Sequence, residues 1–279
     1  MEKILLAIDL NHVNAVSLDF ACWLAKLTNS KLTGVFLEEV QNISKQPIKT
    51  LAGMHSAETL ISGNFPETEI RTRKCDESIR VFEERCKRKA VRFAIHHEGG
   101  EPFEEIICES RFGDLLVIDP EMSLDSMGGG VSRQFIENIL RKTECPVILP
   151  TTGIEDIDEV ILAYDGSASS VFAIKQFTYL LPELSDKRVI IVQTQKSDIS
   201  FFIQRDKIGE LLQPHYSSVG FDTLYGDPDE ALFEYMAGKR NAFLVMGTYG
   251  RALLSRTFRR STAMLLIRTL NLPIFIAHH

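Results

Sequence analysis

The chain contains one pattern twice, and this internal repeat constrains its fold more than any other sequence feature. Residues 4–27 comprise a short apolar strand ending at Asp9, a small polar loop and an amphipathic helix. Residues 160–181 repeat that order, and here the strand leads into Asp165. In each helical segment, apolar residues recur at the three- and four-residue spacing of one helix face. The repeat predicts that the chain consists of two similar units.

The rest of each copy continues in the same order. Gly100-Glu101-Pro102 and Gly226-Asp227-Pro228 both predict a helix start, because an acidic residue suits the cap and proline suits the first helical position. Apolar strands follow these helices, and a further strand closes each copy. Most strands are continuous apolar runs, which is typical of strands buried on both faces of a parallel sheet. The predicted strands in this part of the two copies are 115–118, 144–150, 243–246 and 271–278.

These elements predict an α/β fold of two doubly wound domains, each a five-stranded parallel sheet with helices on both faces. We place the first domain at 1–150 and the second at 158–279, joined by a polar linker at 151–158. The first copy is the longer one. Its extra residues fall mostly in an insertion at about 40–68, which mixes Pro, Gly, Ser and Thr with little periodicity. The insertion predicts a long surface loop, either without a ligand or acting as a lid.

Composition excludes several classes of protein. The 279 residues carry a formal net charge of −7, and neither half has the basic excess of a nucleic-acid-binding surface. No apolar run approaches the roughly 20 residues that span a bilayer. The N-terminal segment lacks the apolar stretch of a signal peptide, so we expect a cytoplasmic protein with no nucleic-acid or membrane partner. The five cysteines include no CxxC pair, and we expect free thiols and no structural metal.

The segment 244–276 carries the most specific chemistry. Its buried strand leads into Gly247, where glycine lets the backbone approach a ligand closely. A helix then opens near Arg260 and Ser261, where a hydroxyl, unpaired N–H groups and positive charge favour an anion. Ligands of open α/β sheets bind outside the carboxyl ends of the strands, and Asp165 ends a strand at the same edge. A capped helix beside solvated arginines is the competing interpretation.

In these features the chain resembles a tandem universal stress protein, with two copies of that domain covering nearly all 279 residues. The resemblance rests on ILAYDGS at 161–167, the Gly-Asp-Pro helix start, the strand-Gly-x-x-Gly loop and Cys-Pro-Val at 145–147. It implies adenine-nucleotide alpha-hydrolase-like domains, packed about a pseudo-two-fold axis through the strands at Val147–Leu149 and 274–277. The ligand it implies is ATP or a related adenine nucleotide, with Mg²⁺ accompanying it. The implied nucleotide-binding residues are Asp165, Gly166, Ser167, Val192, Met246, Gly247, Gly250, Arg251, Arg260, Ser261 and Thr262.

One position departs from the family's pattern. Nucleotide-binding members carry Gly-x2-Gly-x9-Gly-(Ser/Thr) after the fourth strand. Here Gly247, Gly250 and Ser261 match, while Arg260 stands at the third glycine. If that position needs a bare backbone against phosphate, the arginine side chain obstructs it. If its backbone is ordinary, the arginine contacts the phosphate instead, and the sequence leaves both consequences open.

The first copy departs further from the motif. Counting Arg133 as the partner of Arg260 leaves no glycine at the remaining motif positions, and shifting the strand alignment by one places Asp119 at the first of them. An aspartate there repels phosphate. In either alignment we expect this half not to hold a triphosphate, so that at most one nucleotide binds per chain. In the first alignment the remaining positions are Pro120, Ser123 and Gln134.

Two polar clusters lie outside this loop. The glutamates of 101–109 have helical spacing, which predicts a solvated helix face. His96 and His97 lie on or near a strand, where adjacent side chains point to opposite faces, so they do not predict a shared metal.

The sequence contains no catalytic signature: it has no adenylation motif, no GxSxG elbow and no Walker loop. Three interpretations are therefore kept. The first is a stress-response protein that binds a nucleotide in its second half with little or no turnover. The second is a nucleotide-free interaction or dimerisation module with vestigial loops, for which a homodimer is one form. The third and least favoured is a slow ATPase.

Overall fold

The computed structural model describes residues 1–38, 65–97, 100–122, 132–151, 157–195, 201–247 and 270–278. Strands and helices alternate through most of this part of the chain. The first half contains β1 (Lys3–Asp9), α1 (Ala15–Leu27), β2 (Lys31–Leu37), α2 (Phe65–Arg88), β3 (Phe93–His96), α3 (Pro102–Ser110), β4 (Leu115–Val117), α4 (Ser132–Lys142) and β5 (Val147–Leu149).

The second half repeats this order as far as it is described. It contains β6 (Glu159–Ala163), α5 (Ala168–Leu180), a 3₁₀ turn (Pro182–Leu184), β7 (Arg188–Gln195), α6 (Arg205–Leu212), β8 (Val219–Tyr225), α7 (Pro228–Ala237), β9 (Ala242–Met246) and β10 (Ile274–Ile276). None of the helices in the described ranges is both long enough and apolar enough to cross a membrane.

The strands form one sheet in the order β3-β2-β1-β4-β5-β10-β9-β6-β7-β8. Within each half every pairing is parallel, and the order matches between the halves. β5 and β10 pair antiparallel, with Val147 opposite Ile276 and Leu149 opposite Ile274. Crossover helices cover both faces, which is why the central strands are buried along most of their length. The predicted doubly wound α/β fold is confirmed.

The two acidic-Pro helix starts lie where the sequence predicts them. Pro102 opens α3, and the carboxylate of Glu101 accepts a hydrogen bond from the backbone N–H of Glu104 at 2.9 Å. Proline at this position removes a donor that would have no partner inside the helix. α7 likewise begins at a proline, Pro228.

The predicted insertion is partly helical. α2 begins at Phe65, so residues 65–68 belong to its first turn and not to a loop. The helix is held by its apolar face, where Phe82 is fully buried and packs edge-on against Phe36 and Phe93 at 5.7 and 5.8 Å. That face is sparse among many charged residues, which hides the helix start in the sequence. Residues 39–64 of the insertion and 152–156 of the linker lie outside the described residues.

One aromatic cluster joins the two halves on one face of the sheet. Phe177 on α5 packs against Phe243 and Phe275, with ring centroids 5.3 Å apart in each pair. Phe20 on α1 reaches the same Phe243 at 6.5 Å. The apolar core on this face therefore continues across the β5–β10 junction instead of stopping at each half.

Candidate functional site

The Asp-Gly-Ser sequence after β6 forms a tight loop at the carboxyl edge of the second half. The backbone N–H of Ser167 donates to Asp165 Oδ1 at 2.9 Å, so the aspartate side chain closes its own turn. Gly166 has φ +76°, a conformation that favours glycine. Ser167 caps α5, and its Oγ accepts from the N–H of Ser170 at 3.1 Å. The loop thereby directs the N-terminus of α5 towards the sheet edge.

Gly247 directly follows β9 and lies against the first turn of α5. A Cβ at this position would lie 2.2 Å from the carbonyl oxygen of Ser169 and 2.6 Å from the backbone nitrogen of Ser170. Neither atom is at the end of a flexible side chain, so only glycine fits without a backbone shift. The close approach that the structure shows at Gly247 is to a neighbouring helix, and the predicted approach to a ligand stays a prediction.

A segment after β7 covers the Asp-Gly-Ser loop. The backbone N–H of Ile203 donates to the side-chain oxygen of Gln193 at 2.8 Å. A Cβ on Gly166 would lie 2.7 Å from the Cγ2 of Ile203. Phe202 stacks on Tyr164 with ring centroids 5.9 Å apart and planes 9° from parallel. Sequence reasoning missed this segment, because its only signal is the adjacent pair of phenylalanines at the end of a polar stretch.

The predicted binding residues fall into three groups. Asp165, Gly166, Ser167 and Gly247 meet at one edge of the sheet, as described above. Val192 and Met246 have buried side chains, so either would reach a ligand only through its backbone. The third group lies outside the described residues and consists of Gly250, Arg251, Arg260, Ser261 and Thr262.

Gln195, which ends β7 at this edge, is a further polar group. It is 6% exposed, and neither its amide nitrogen nor its amide oxygen has a hydrogen-bond partner within the described part of the chain. A buried amide is normally paired, because leaving it without a partner costs the free energy of its lost hydration. In sequence it resembled an ordinary strand residue.

Strand register decides how the first half aligns with the second. Leu6 on β1 lies opposite Val117, and Asp9 follows Leu6 by three residues. On β6, Leu162 lies opposite Val245, and Asp165 follows Leu162 by three residues. The residue two places after Val117 in the first half is therefore equivalent to the residue two places after Val245 in the second half. These residues are Asp119 and Gly247.

The alignment that placed Pro120 at the first glycine is therefore wrong, and the shifted one is correct. Counting back from Arg133 failed because the loop lengths differ between the halves, whereas the strand pairing does not. Of the other positions in that alignment, Ser123 lies outside the described residues, and Gln134 lies in α4.

In the first half, Asp119 carries a side chain at the position where the second half has Gly247. Asn14 caps α1, and its Oδ1 accepts hydrogen bonds from the backbone N–H groups of Val16 and Ser17 at 2.9 and 3.2 Å. Its amide nitrogen donates to Asp119 Oδ2. Asp119 is 8% exposed. A carboxylate of the protein thus already occupies the anion-favouring N-terminus of this helix.

The first half has a cavity of about 230 Å³ at this edge, between the ends of β1 and β4. Asp9 and Asp119 line it, and Asn14 and Ser17 line it from the start of α1. Burial raises the pKa of Asp9, and this outweighs the hydrogen bond from the backbone N–H of Asn11. Acidic groups therefore dominate the equivalent site of the first half.

The glutamates of α3 are less solvated than their spacing predicts. Glu109 bonds to His96 Nδ1 at 2.8 Å and to Lys3 Nζ at 3.2 Å, and Glu105 is 8% exposed. Burial tends to raise the pKa of Glu109, but the bonds from His96 and Lys3 together bring it below its ordinary value. The solvated-face prediction is wrong for these two residues, because α3 packs against α4 and the sheet. Within the described ranges, no group of three or more His, Cys, Asp or Glu residues is placed to hold a metal ion.

No protein-family model and no curated protein matches the sequence. Solved structures do match its fold. A universal stress protein from Archaeoglobus fulgidus superposes with a TM-score of 0.70 at 15% identity, covering 99% of this chain and 98% of its own. A Pseudomonas aeruginosa protein described as a universal stress protein gives 0.56 at 15% identity, over 100% and 93% of the two chains. A functionally unknown protein from Pseudomonas aeruginosa gives 0.57 at 12% identity, over 100% and 92%.

Proposed function

We propose that this chain, which has the fold of the universal stress proteins along nearly its whole length, is a stress-response protein that binds an adenine nucleotide in its second half. The nucleotide is ATP or a close relative, Mg²⁺ accompanies it, and it is not turned over. The observation that carries the proposal is the contrast between Gly247 and Asp119 at equivalent places in the two halves.

Gly247 and Asp119 make opposite electrostatic surroundings at the start of a helix. In the second half, no side chain projects from the end of β9 onto the N-terminus of α5, where the helix dipole favours negative charge. In the first half, the Asp119 carboxylate takes that position and repels a phosphate. The sequence places four arginines after β9, at 251, 256, 259 and 260, but only Arg133 in the corresponding stretch of the first half, which strengthens the same contrast.

Gln195 supports an adenine base as part of the ligand. Its amide offers one donor and one acceptor side by side, and both atoms are unpaired within the described residues. The same pair of groups matches the edge of adenine that carries N6 and N7. A nucleotide whose base reaches the end of β7 would pair both amide atoms.

The test is a calorimetric titration of the full chain with ATP and Mg²⁺. We expect one nucleotide per chain, with a dissociation constant on the order of micromolar. Phosphate release should stay at the level of a heat-killed control. Two nucleotides per chain, or no heat of binding at millimolar ATP, contradicts the proposal.

Two further measurements locate the site. Photolabelling with 8-azido-ATP should modify peptides of the second half and leave those of the first half unmodified. Gln195→Met should weaken ATP binding, whereas Gln213→Met, at an exposed position, should not. Labelling mainly in the first half would overturn the assignment without any question of a misfolded variant.

The interaction module remains the second candidate, and Asp119 favours it for the first half. That half cannot bind a nucleotide through a loop whose first position is a buried aspartate, yet it keeps the same fold. If neither half binds nucleotide, the whole chain fits this second function. A slow ATPase would instead show phosphate release that depends on the second half.

A further inference from the structure

The cavity at the carboxyl edge of the first half has no part in the proposed nucleotide site. It has a volume of about 230 Å³ and lies between the ends of β1 and β4. Leu6, Ile8 and Met122 contribute apolar surface. The titratable residues that line the cavity are Asp9, Asp119, Glu121 and His12. An apolar wall with a few polar groups at one side is the usual composition of a small-molecule site.

Ser17 gives an observation that is independent of the carboxylates. It lines the cavity from the first turn of α1 and is only 4% exposed. Its backbone N–H is bonded to Asn14, but its hydroxyl takes part in no hydrogen bond with the part of the chain that the structure describes. The Ser17 hydroxyl therefore remains available at the cavity wall to a ligand that has a hydrogen-bonding group.

The charged groups around the cavity determine whether it favours a positive or a negative ligand. Asp119, which comes just after β4, is 8% exposed. Asp9 ends β1, the strand beside β4 in the sheet. Burial raises the pKa of Asp9 even though His12 and Lys74 lie close enough to oppose the shift. Two desolvated carboxylates at one edge favour a positive ligand and disfavour phosphate.

The cavity volume and the arrangement of its side chains limit the kinds of ligand that fit. A volume of about 230 Å³ lies below the range of about 300–1,000 Å³ typical of sites for drug-sized ligands. A metal ion is disfavoured, because no cluster of three or more His, Cys, Asp or Glu residues suited to one occurs among the described residues. What fits is a small molecule that has one cationic head and a short apolar body.

We propose that the first-half cavity binds a small organic cation. An ammonium or guanidinium head lies between Asp9 and Asp119 and donates a hydrogen bond to the Ser17 hydroxyl. The short apolar body packs against Leu6 and Met122. The proposal is independent of nucleotide binding in the second half.

The experiment compares three probes of four carbons each: n-butylamine, 1-butanol and butyrate. Each is titrated into the full chain, and binding is followed by chemical-shift changes in ¹H–¹⁵N spectra. We expect n-butylamine to saturate one site and to bind at least about tenfold more tightly than 1-butanol, since the head carries the charge-assisted hydrogen bonds. Butyrate should produce no saturable shift.

Two variants test the assigned groups. Asp119→Asn keeps an acceptor for the Asn14 amide but removes the charge, and it should weaken n-butylamine binding about tenfold. Ser17→Ala should weaken binding about threefold, on the scale of one neutral hydrogen bond, without lowering the thermal midpoint of the free protein. The second variant keeps the test valid if the first one folds poorly. Asp186→Asn, at an exposed turn, is the matched control and should leave binding unchanged.

Several results overturn the proposal. Equal binding of 1-butanol and n-butylamine means that the cavity is merely apolar. Saturable binding of butyrate in the same cavity reverses the assigned charge preference. Unchanged n-butylamine binding in both Asp119→Asn and Ser17→Ala, or no saturable shift at millimolar n-butylamine, removes the site.

Discussion

Gly247→Ala tests the contact on which the second-half site depends. The added Cβ would lie 2.2 Å from the carbonyl oxygen of Ser169, 2.4 Å from its carbonyl carbon and 2.6 Å from the nitrogen of Ser170. All three are backbone atoms of the first turn of α5. No rotamer change relieves the clash, so β9 and α5 must move apart.

The magnitude follows from the size of that movement. Contacts of a Cβ below 3.0 Å are essentially never observed, so the two backbones must separate by most of an ångström. Both lie in a closely packed core, where Phe243 on β9 packs against Phe177 on α5. Forcing one methyl group into such a site costs about 1–3 kcal/mol of the free energy of unfolding.

The assay is urea denaturation of both proteins, followed by circular dichroism. Gly220→Ala is the matched control, because a Cβ there would meet its nearest atom, the carbonyl oxygen of Val189, at an ordinary 3.7 Å. We expect the control to be neutral or more stable by up to about 1 kcal/mol, since alanine reduces the freedom of the unfolded chain. Equal stability of Gly247→Ala and the parent would refute the close approach and the site geometry built on it.

Three further predictions concern the linker, the loop and the acidic site. Cleaving the linker near Gly153 should leave the halves associated, because β5–β10 pairing and the shared aromatic cluster do not need the peptide; independent monomers on a sizing column would contradict this. Arg260→Gly should weaken ATP binding by about 1.5–3 kcal/mol if the arginine contacts phosphate, whereas tighter binding in calorimetry shows that it obstructs the site. Burial raises the pKa of Asp9 in the folded protein, so protonated Asp9 adds to the free energy of unfolding at a pH below its ordinary pKa. This stability is lost as the pH rises through the pKa of Asp9 in the folded protein, so Asp9→Asn should stabilise the chain at pH 7. That gain should vanish below about pH 4, and urea denaturation showing the same gain at both pH values would exclude the mechanism.

The sequence predicts the fold well where local chemistry and burial agree. The helix starts at Pro102 and Pro228 combine an acidic residue with proline, so each is recognisable without any tertiary contact. Continuous apolar strands indicate a parallel sheet for the same reason. The start of α2 at Phe65 was missed, because its helix depends on tertiary packing of a few residues such as Phe82.

The candidate site was less predictable, since it depends on register and on contacts distant in sequence. Whether Asp119 or Pro120 matches Gly247 is settled by which residues of β4 and β9 lie opposite β1 and β6. No spacing within the motif contains that information. The bond between Asn14 and Asp119 likewise joins residues far apart in the chain, and the sequence indicates only that Asn14 suits a helix cap.

The antiparallel pairing of β5 with β10 has a consequence for how the chain handles two ligands. Because the strands of the two halves run in opposite directions across one sheet, their carboxyl ends emerge at opposite edges. Seven-residue β1 alone spans roughly 20 Å between those edges. The acidic cavity and the Asp165–Gly247 site therefore open on opposite sides of the molecule, too far apart for one ligand to bridge or for bound charges to attract each other directly across water. Any influence of one occupant on the other has to pass mechanically, through two three-residue strands and the aromatic rings packed over them.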